Sequence, residues 1–315
     1  MYDVVIVGAG PAGIFAALEL VAGPSGPPRI LMLEKGLDVE RRNCPSREVG
    51  GGCRYCSPCN ALCGWGGAGA FSDGKLTLSA QVGGSLEEYV GEERLAGLIR
   101  EVDEAYLRFG APETLYGVAR EEEIREIERR ALQAELKLVP IPIRHMGTGR
   151  CRDILRRMRD FLLDRGVTIR TCRPVADFVV DGRSVAGVRT ADGEEIAARF
   201  VVVAPGREGA GWLAAQAGRL GLEMAINPVD IGVRVELPAA TMDHLTRVCY
   251  ESKFIYYSKT FHDRVRTFCM NPYGEVVMEN NNGLITVNGH SHAYRKTSNT
   301  NFSVLVSKTF TEPFR

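Results

Sequence analysis

The hexapeptide Gly8-Ala9-Gly10-Pro11-Ala12-Gly13 constrains this fold more than any other stretch of the chain. It fits G-x-G-x-x-G, follows the apolar, β-branched run Tyr2 to Val7, and opens the helical pattern Ile14 to Ala22. A short continuous apolar run is the signature of a strand buried on both faces of a parallel sheet. A second run, Arg29 to Leu33, follows the Gly/Pro-rich turn Gly23 to Pro28 and completes a βαβ unit. In such a unit Gly8 makes the tight turn, Gly10 lets the backbone approach a pyrophosphate, and Gly13 lets helix and strand pack closely. The helix start then presents N–H groups and a positive dipole end to the phosphates. Glu34, just after the second strand, is placed to accept hydrogen bonds from ribose hydroxyls. Its charge disfavours a 2′-phosphate, and therefore NADP.

The apolar stretch Val4 to Gly23 carries one charge, Glu19. It does not read as a leader or span, because Asp3 precedes it without a basic region and glycines and a proline interrupt it. Thirty-nine basic residues balance thirty-nine acidic ones, so neither nucleic acid nor an anionic membrane is expected as a partner. Nine cysteines, an odd number, fit poorly with a disulfide scaffold, and a cytoplasmic location is expected.

The unusual glycine and cysteine content is concentrated partly in two further regions. Gly64 to Lys75 carries Gly66, Gly67, Ala68, Gly69, Phe71 and Ser72 before Lys75. Backbone so free of Cβ atoms can approach a pyrophosphate or the edge of a flat cofactor ring, and Lys75 would stabilise negative charge developing on such a cofactor. The alternative is a glycine-rich surface loop with solvated charges. Just upstream, Cys53, Cys56, Cys59 and Cys63 have the spacing C-x2-C-x2-C-x3-C, the run that wraps a 4Fe-4S iron–sulfur cluster in bacterial ferredoxins. Cys63 precedes Gly64 rather than proline, and Cys44, before Pro45, is an alternative fourth ligand. Zinc, thiol–disulfide chemistry and no special role stay open. Cys151, Cys172, Cys249 and Cys269 are scattered and read as structural thiols. His290 and His292 flank Ser291, but no acidic partner for them can be named, and no catalytic residue is assigned.

Along the chain, helical patterns at Glu92 to Phe109, Glu121 to Leu138 and Asp153 to Arg165 precede a strand at Val167 to Thr171. A β-meander follows, with turns at Asp181-Gly182 and Asp192-Gly193, and leads into a buried strand, Phe200 to Ala204. Beyond Gly221 the composition shifts to antiparallel strands.

The segments GAGPAG, LEKG at Leu33 to Gly36, the meander, and VVVAPG at Val201 to Gly206 together resemble the FAD domain of glutathione-reductase-like flavoproteins. More specifically, the chain resembles the bacterial family called uncharacterised FAD-dependent dehydrogenases, or NAD(P)/FAD-dependent oxidoreductases. The blocks CGWGGAGAFSDGKL (Cys63 to Leu76), PVDIGVRVE (Pro228 to Glu236), RTFCMNPYGEVV (Arg266 to Val277) and NTNFSVLVS (Asn299 to Ser307) carry that likeness. It implies an α/β fold: a Rossmann-like FAD-binding domain, residues 1–222, and an inserted antiparallel-sheet α+β substrate domain, residues 223–315. The first would contain a Cys/Gly-rich insertion, 43–84, and a helical segment, 85–150.

The resemblance also implies FAD contacts by Gly8, Gly10, Pro11, Ala12, Gly13, Glu34, Lys35, Gly66, Gly67, Ala68, Gly69, Phe71, Ser72, Lys75, Val175, Ala204 and Gly206, with Val175 meeting the adenine ring through its backbone. The late strand with a Gly-Asp pair that closes such sites has no counterpart here, so the sequence is expected to be the N-terminal part of a longer enzyme. The implied function is an FAD-dependent oxidoreductase moving a hydride or two electrons between a small substrate and FAD. A ferredoxin-like donor protein enters if the cysteines hold a cluster. Direct use of NAD(P)H is unsupported, because no second G-x-G-x-x-G unit occurs. The alternative is a non-catalytic flavin- or nucleotide-binding redox sensor or assembly protein.

Overall fold

The structure is a computed structural model that describes residues 1–24, 26–45, 53–281, 283–292 and 295–309. The chain divides into two compact units, each assembled from three segments.

Unit 1 comprises Met1–Ser72, Cys151–Met224 and Met278–Thr286. Its first strand, β1 (Tyr2–Val7), buries Val4 to Val7 and lies between β2 (Ile30–Leu33) and the strand Glu195–Val203, parallel to both. The helix between β1 and β2, α1 (Pro11–Ala22), buries Ile14, Ala17, Leu18 and Val21, one apolar stripe at helical spacing. Pro11 is tolerated at its first position because that N–H would have no intrahelical partner. The whole sheet has six strands, in the order Thr168–Arg170, β2, β1, Glu195–Val203, Ser184–Thr190, Val175–Asp181. The last two, with the start of Glu195–Val203, form the expected antiparallel meander. Its buried face joins Phe178, Val188 and Ile196 to Val5, Val7, Leu31 and Leu33 of the parallel strands in one core. Burial of side chains of this size stabilises the fold by roughly 1.5–3 kcal/mol each.

The strand expected as Phe200 to Ala204 is the second half of Glu195–Val203, and it is not wholly buried. Phe200 is 57% exposed, with the Arg199 guanidinium over its ring. One strand thus pairs antiparallel with the meander through its first half and parallel with β1 through its second.

Unit 2 comprises Asp73–Arg150, Ala225–Val277 and Val287–Arg315. A five-stranded antiparallel sheet runs Val229–Pro238, Asn299–Lys308, Arg264–Asn271, Lys253–Tyr257, Lys137–Val139. The helices Glu121–Gln133 and Ala239–Cys249 pack together through Ile124, Ile127, Ala131, Val248 and Cys249.

Two sequence expectations change here. Residues 85–150 fold with the antiparallel unit and not with the parallel one, since Lys137–Val139 pairs with Lys253–Tyr257 and the preceding helix packs on Val248 and Cys249. The helix expected over Glu121 to Leu138 ends at Gln133 because Glu135 adopts φ 60° and Leu138 is drawn into that sheet. The helix Ala239–Cys249 was not foreseen in a region that reads as strands. Among the described residues no helix is long and apolar enough to cross a membrane.

Candidate functional site

In unit 1 a cavity of about 440 Å³ opens at the C-terminal end of β1. The first strand has parallel neighbours on both sides there, the position where open α/β sheets receive ligands. Of the expected contacts, Gly8, Gly10, Pro11, Glu34, Lys35, Gly67, Ala68, Gly69, Val175, Ala204 and Gly206 line it. Ala12, Gly13, Gly66, Phe71, Ser72 and Lys75 do not.

The three motif glycines are glycine for different reasons. Gly8 has φ +100°, and a Cβ there would stand 2.2 Å from the Ala204 carbonyl oxygen. At Gly13 a Cβ would lie 2.1 Å from the Gly8 oxygen, so helix and turn pack without room for any side chain. Gly10 has ordinary φ −78°, and the nearest atom to a Cβ would be the Gly67 Cα at 3.9 Å. The protein itself leaves space at Gly10, on the cavity wall. Gly10 is also the N-cap of α1 and supplies no side-chain cap, so the helix start faces the cavity bare.

The Glu34 carboxylate is buried and already engaged. Oε2 accepts from the Ala9 N–H at 2.9 Å, and Oε1 accepts from the N–H groups of Gly36 and Gly64, each at 2.8 Å. It ties the first glycine turn to the second loop, and a ribose hydroxyl would be a fourth partner for a group with about four acceptor positions. Lys35 is paired with Glu208 on the same wall.

Arg42, which nothing in the sequence singles out, holds the second glycine loop. Its guanidinium donates to the carbonyls of Trp65 (2.7 Å), Gly67 (2.8 Å) and Asn60 (2.9 and 3.0 Å) and lies 5.0 Å over the Phe71 ring. Burial pulls its pKa down to about 10, against the stabilising charge of Glu34. The loop is further fixed by Gly66 N–H donating to the Ala9 carbonyl (2.7 Å) and by buried Trp65 donating to the Leu155 carbonyl (2.8 Å). Phe71 and Gly66 therefore support the wall from behind.

Lys75 has partners of its own. It belongs to unit 2, where its ammonium lies 2.6 Å from Glu251 and 3.3 Å from Asp73 and donates to the Met270 carbonyl at 2.8 Å. Burial alone would lower its pKa, but Asp73 and Glu251 outweigh that and raise it well above the ordinary value. Its charge is compensated inside its own unit and does not line the cavity.

Among the described residues, no three of His, Cys, Asp and Glu are placed to share a metal ion, although Cys53, Cys56, Cys59 and Cys63 are all described. Cys63 is buried in the cavity wall, where desolvation pushes its thiol up to about 11. The histidine pair does acquire an acid. His292 Nε2 lies 2.7 Å from Glu275 Oε1, and Arg295 donates to the other oxygen, also at 2.7 Å. Glu275 is on the strand Glu275–Asn281, a pairing between hairpin segments that no local signal announces.

The family description FAD dependent oxidoreductase (DAO) matches residues 3–265. A curated relative, an uncharacterised protein of Clostridium beijerinckii, is 25% identical over 313 residues, covering 96% of this chain and 51% of its own. The chain thus spans about half the length of the curated relative it matches. Among solved structures, a point mutant of NikD, described as an unusual amino acid oxidase essential for nikkomycin biosynthesis, superposes with a TM-score of 0.50 at 14% identity, covering 99% of this chain and 71% of that one. Glycine oxidase from Geobacillus kaustophilus gives 0.44 at 15% identity, over 98% and 83%. At 14% identity the NikD likeness concerns fold alone, and the narrower kinship with glutathione-reductase-like domains goes beyond what the family match names. With five-sixths of its length under that match, and its glycine turn, acidic residue and bare helix start around one cavity, the chain belongs to the FAD dependent oxidoreductase (DAO) family.

Proposed function

We propose that this chain provides the FAD-binding part of an oxidoreductase acting on a small-molecule substrate. The observation that carries the reading is Gly10: the fold has room for a side chain there, yet the residue is glycine at a bare helix start inside the cavity. A dinucleotide explains both facts, because its pyrophosphate needs close backbone approach and the helix N-terminus. Gly8, Gly10 and the start of α1 would hold the pyrophosphate, Glu34 the ribose, the Val175 backbone the adenine, and Gly67 to Gly69 the facing wall. Bound FAD would supply the capacity to take up a hydride or two electrons. The protein's own part is to orient the cofactor and exclude water through the apolar walls of Val7, Leu33 and Trp212.

The test is spectroscopic. Purified protein supplied with FAD and then freed of unbound flavin by gel filtration is expected to retain an oxidised-flavin visible spectrum that bleaches with dithionite and returns when an electron acceptor is added. A folded protein that never acquires the spectrum removes the reading.

A further inference from the structure

Unit 2 contains a cavity of its own, about 410 Å³, lined by no aspartate or glutamate. Arg150, Arg247 and Lys296 line it, and none of the three forms an ion pair among the described residues. Arg247 only donates to the Asp243 backbone carbonyl at 3.1 Å within its own helix, and Lys296 lies 4.6 Å from the Tyr273 ring centre. Arg295 and His292, which also line the cavity, are paired with Glu275, and the nearby Asp243 carboxylate accepts from the Tyr273 hydroxyl at 2.7 Å. Arg247 and Lys296 are exposed, so water screens part of the repulsion among the three cations, and an anion bound between them would relieve the rest.

Two buried polar atoms on the wall have no partner. Thr246 is 7% exposed and its Oγ1 makes no hydrogen bond, and neither does the buried Nε2 of His145. Leaving such atoms unsatisfied is unfavourable. Aromatic rings form part of the remaining wall: the Tyr250 ring lies 4.7 Å from the His145 ring and 4.8 Å from the Tyr116 ring, centre to centre, tilted by 36° and 48°. Burial pulls the His145 pKa down to about 4, so its ring is neutral near pH 7 and Nε2 is free to bond.

We propose that this cavity binds a small organic anion, a carboxylate or phosphate head on a planar apolar body. The head would lie among Arg150, Arg247 and Lys296 and satisfy Thr246, and the body would rest against the Tyr250 and Tyr116 rings. A volume of this size suits a small-molecule ligand. The proposal stands on unit 2 alone and does not depend on flavin binding.

Calorimetric titration of the 315-residue chain at saturating FAD tests it, with phenyl phosphate, benzoate, inorganic phosphate and benzyl alcohol as probes. Phenyl phosphate or benzoate is expected to saturate, at least about tenfold tighter than inorganic phosphate or benzyl alcohol. Arg150→Gln should weaken that binding about tenfold, and Thr246→Val should weaken it several-fold. Circular dichroism confirms that each variant is folded; if Arg150→Gln is not, exposed Lys296→Gln replaces it. Absence of binding, equal affinity for the neutral or the inorganic probe, or binding unchanged in the folded variants overturns the proposal.

Discussion

At the residue scale, Gly10 and His145 make contrasting predictions. A Cβ at Gly8 or Gly13 collides with backbone, so Gly13→Ala should lower unfolding free energy by about 1–3 kcal/mol in urea titration. Gly10 carries no such collision, and Gly10→Asp installs a preferred N-cap, worth a few tenths of a kcal/mol. Its cost falls on whatever approaches the turn. His145 has a folded pKa of about 4 against an ordinary 6.5, lowered by burial. Between those values the unfolded chain binds a proton that the folded chain does not, so stability is full above about pH 6.5 and is lost as pH falls toward 4. The shift corresponds to at most about 3 kcal/mol. Urea unfolding at a series of pH values should show this slope, and His145→Gln should flatten it; an unchanged slope would show that other groups carry the acid sensitivity.

At the scale of elements, local signals and distant pairings separate cleanly. β1, α1 and β2 were readable because an apolar run, a glycine turn and a helical stripe lie within the first thirty-odd residues, and each is fixed by its own sequence. The strand Lys137–Val139 was not, because only its pairing with Lys253–Tyr257, more than a hundred residues on, distinguishes it from a helix end. Arg42 escaped notice for a related reason: its partners are backbone carbonyls of Asn60, Trp65 and Gly67, which carry no side-chain signature. Arg42→Lys keeps the charge but not the fork that reaches several carbonyls at once. It should cost about 2–3 kcal/mol in unfolding free energy and weaken FAD binding together with it, as measured by denaturant titration and by fluorescence of bound flavin. Full stability in the variant would mean that the loop is held by other contacts.

At the scale of the whole molecule, the two units are interleaved in sequence, so neither is a contiguous stretch of chain. That arrangement was half legible. The shift to antiparallel strands after Gly221 marked a second unit, but the charged helices of residues 85–150 gave no sign of belonging to it. A ligand that binds only the folded state stabilises it by mass action, so FAD at a hundred times its Kd should add about 2.7 kcal/mol. The central claim is that the glycine turn of unit 1 is shaped by a dinucleotide, and equilibrium titration of FAD into the chain and into Gly10→Asp tests it most directly. The expected result is one FAD per wild-type chain and binding at least about tenfold weaker in the variant, with unfolding free energy unchanged or raised by a few tenths of a kcal/mol. Equal FAD affinity in the two proteins, or a folded wild-type chain that binds no FAD, would contradict it.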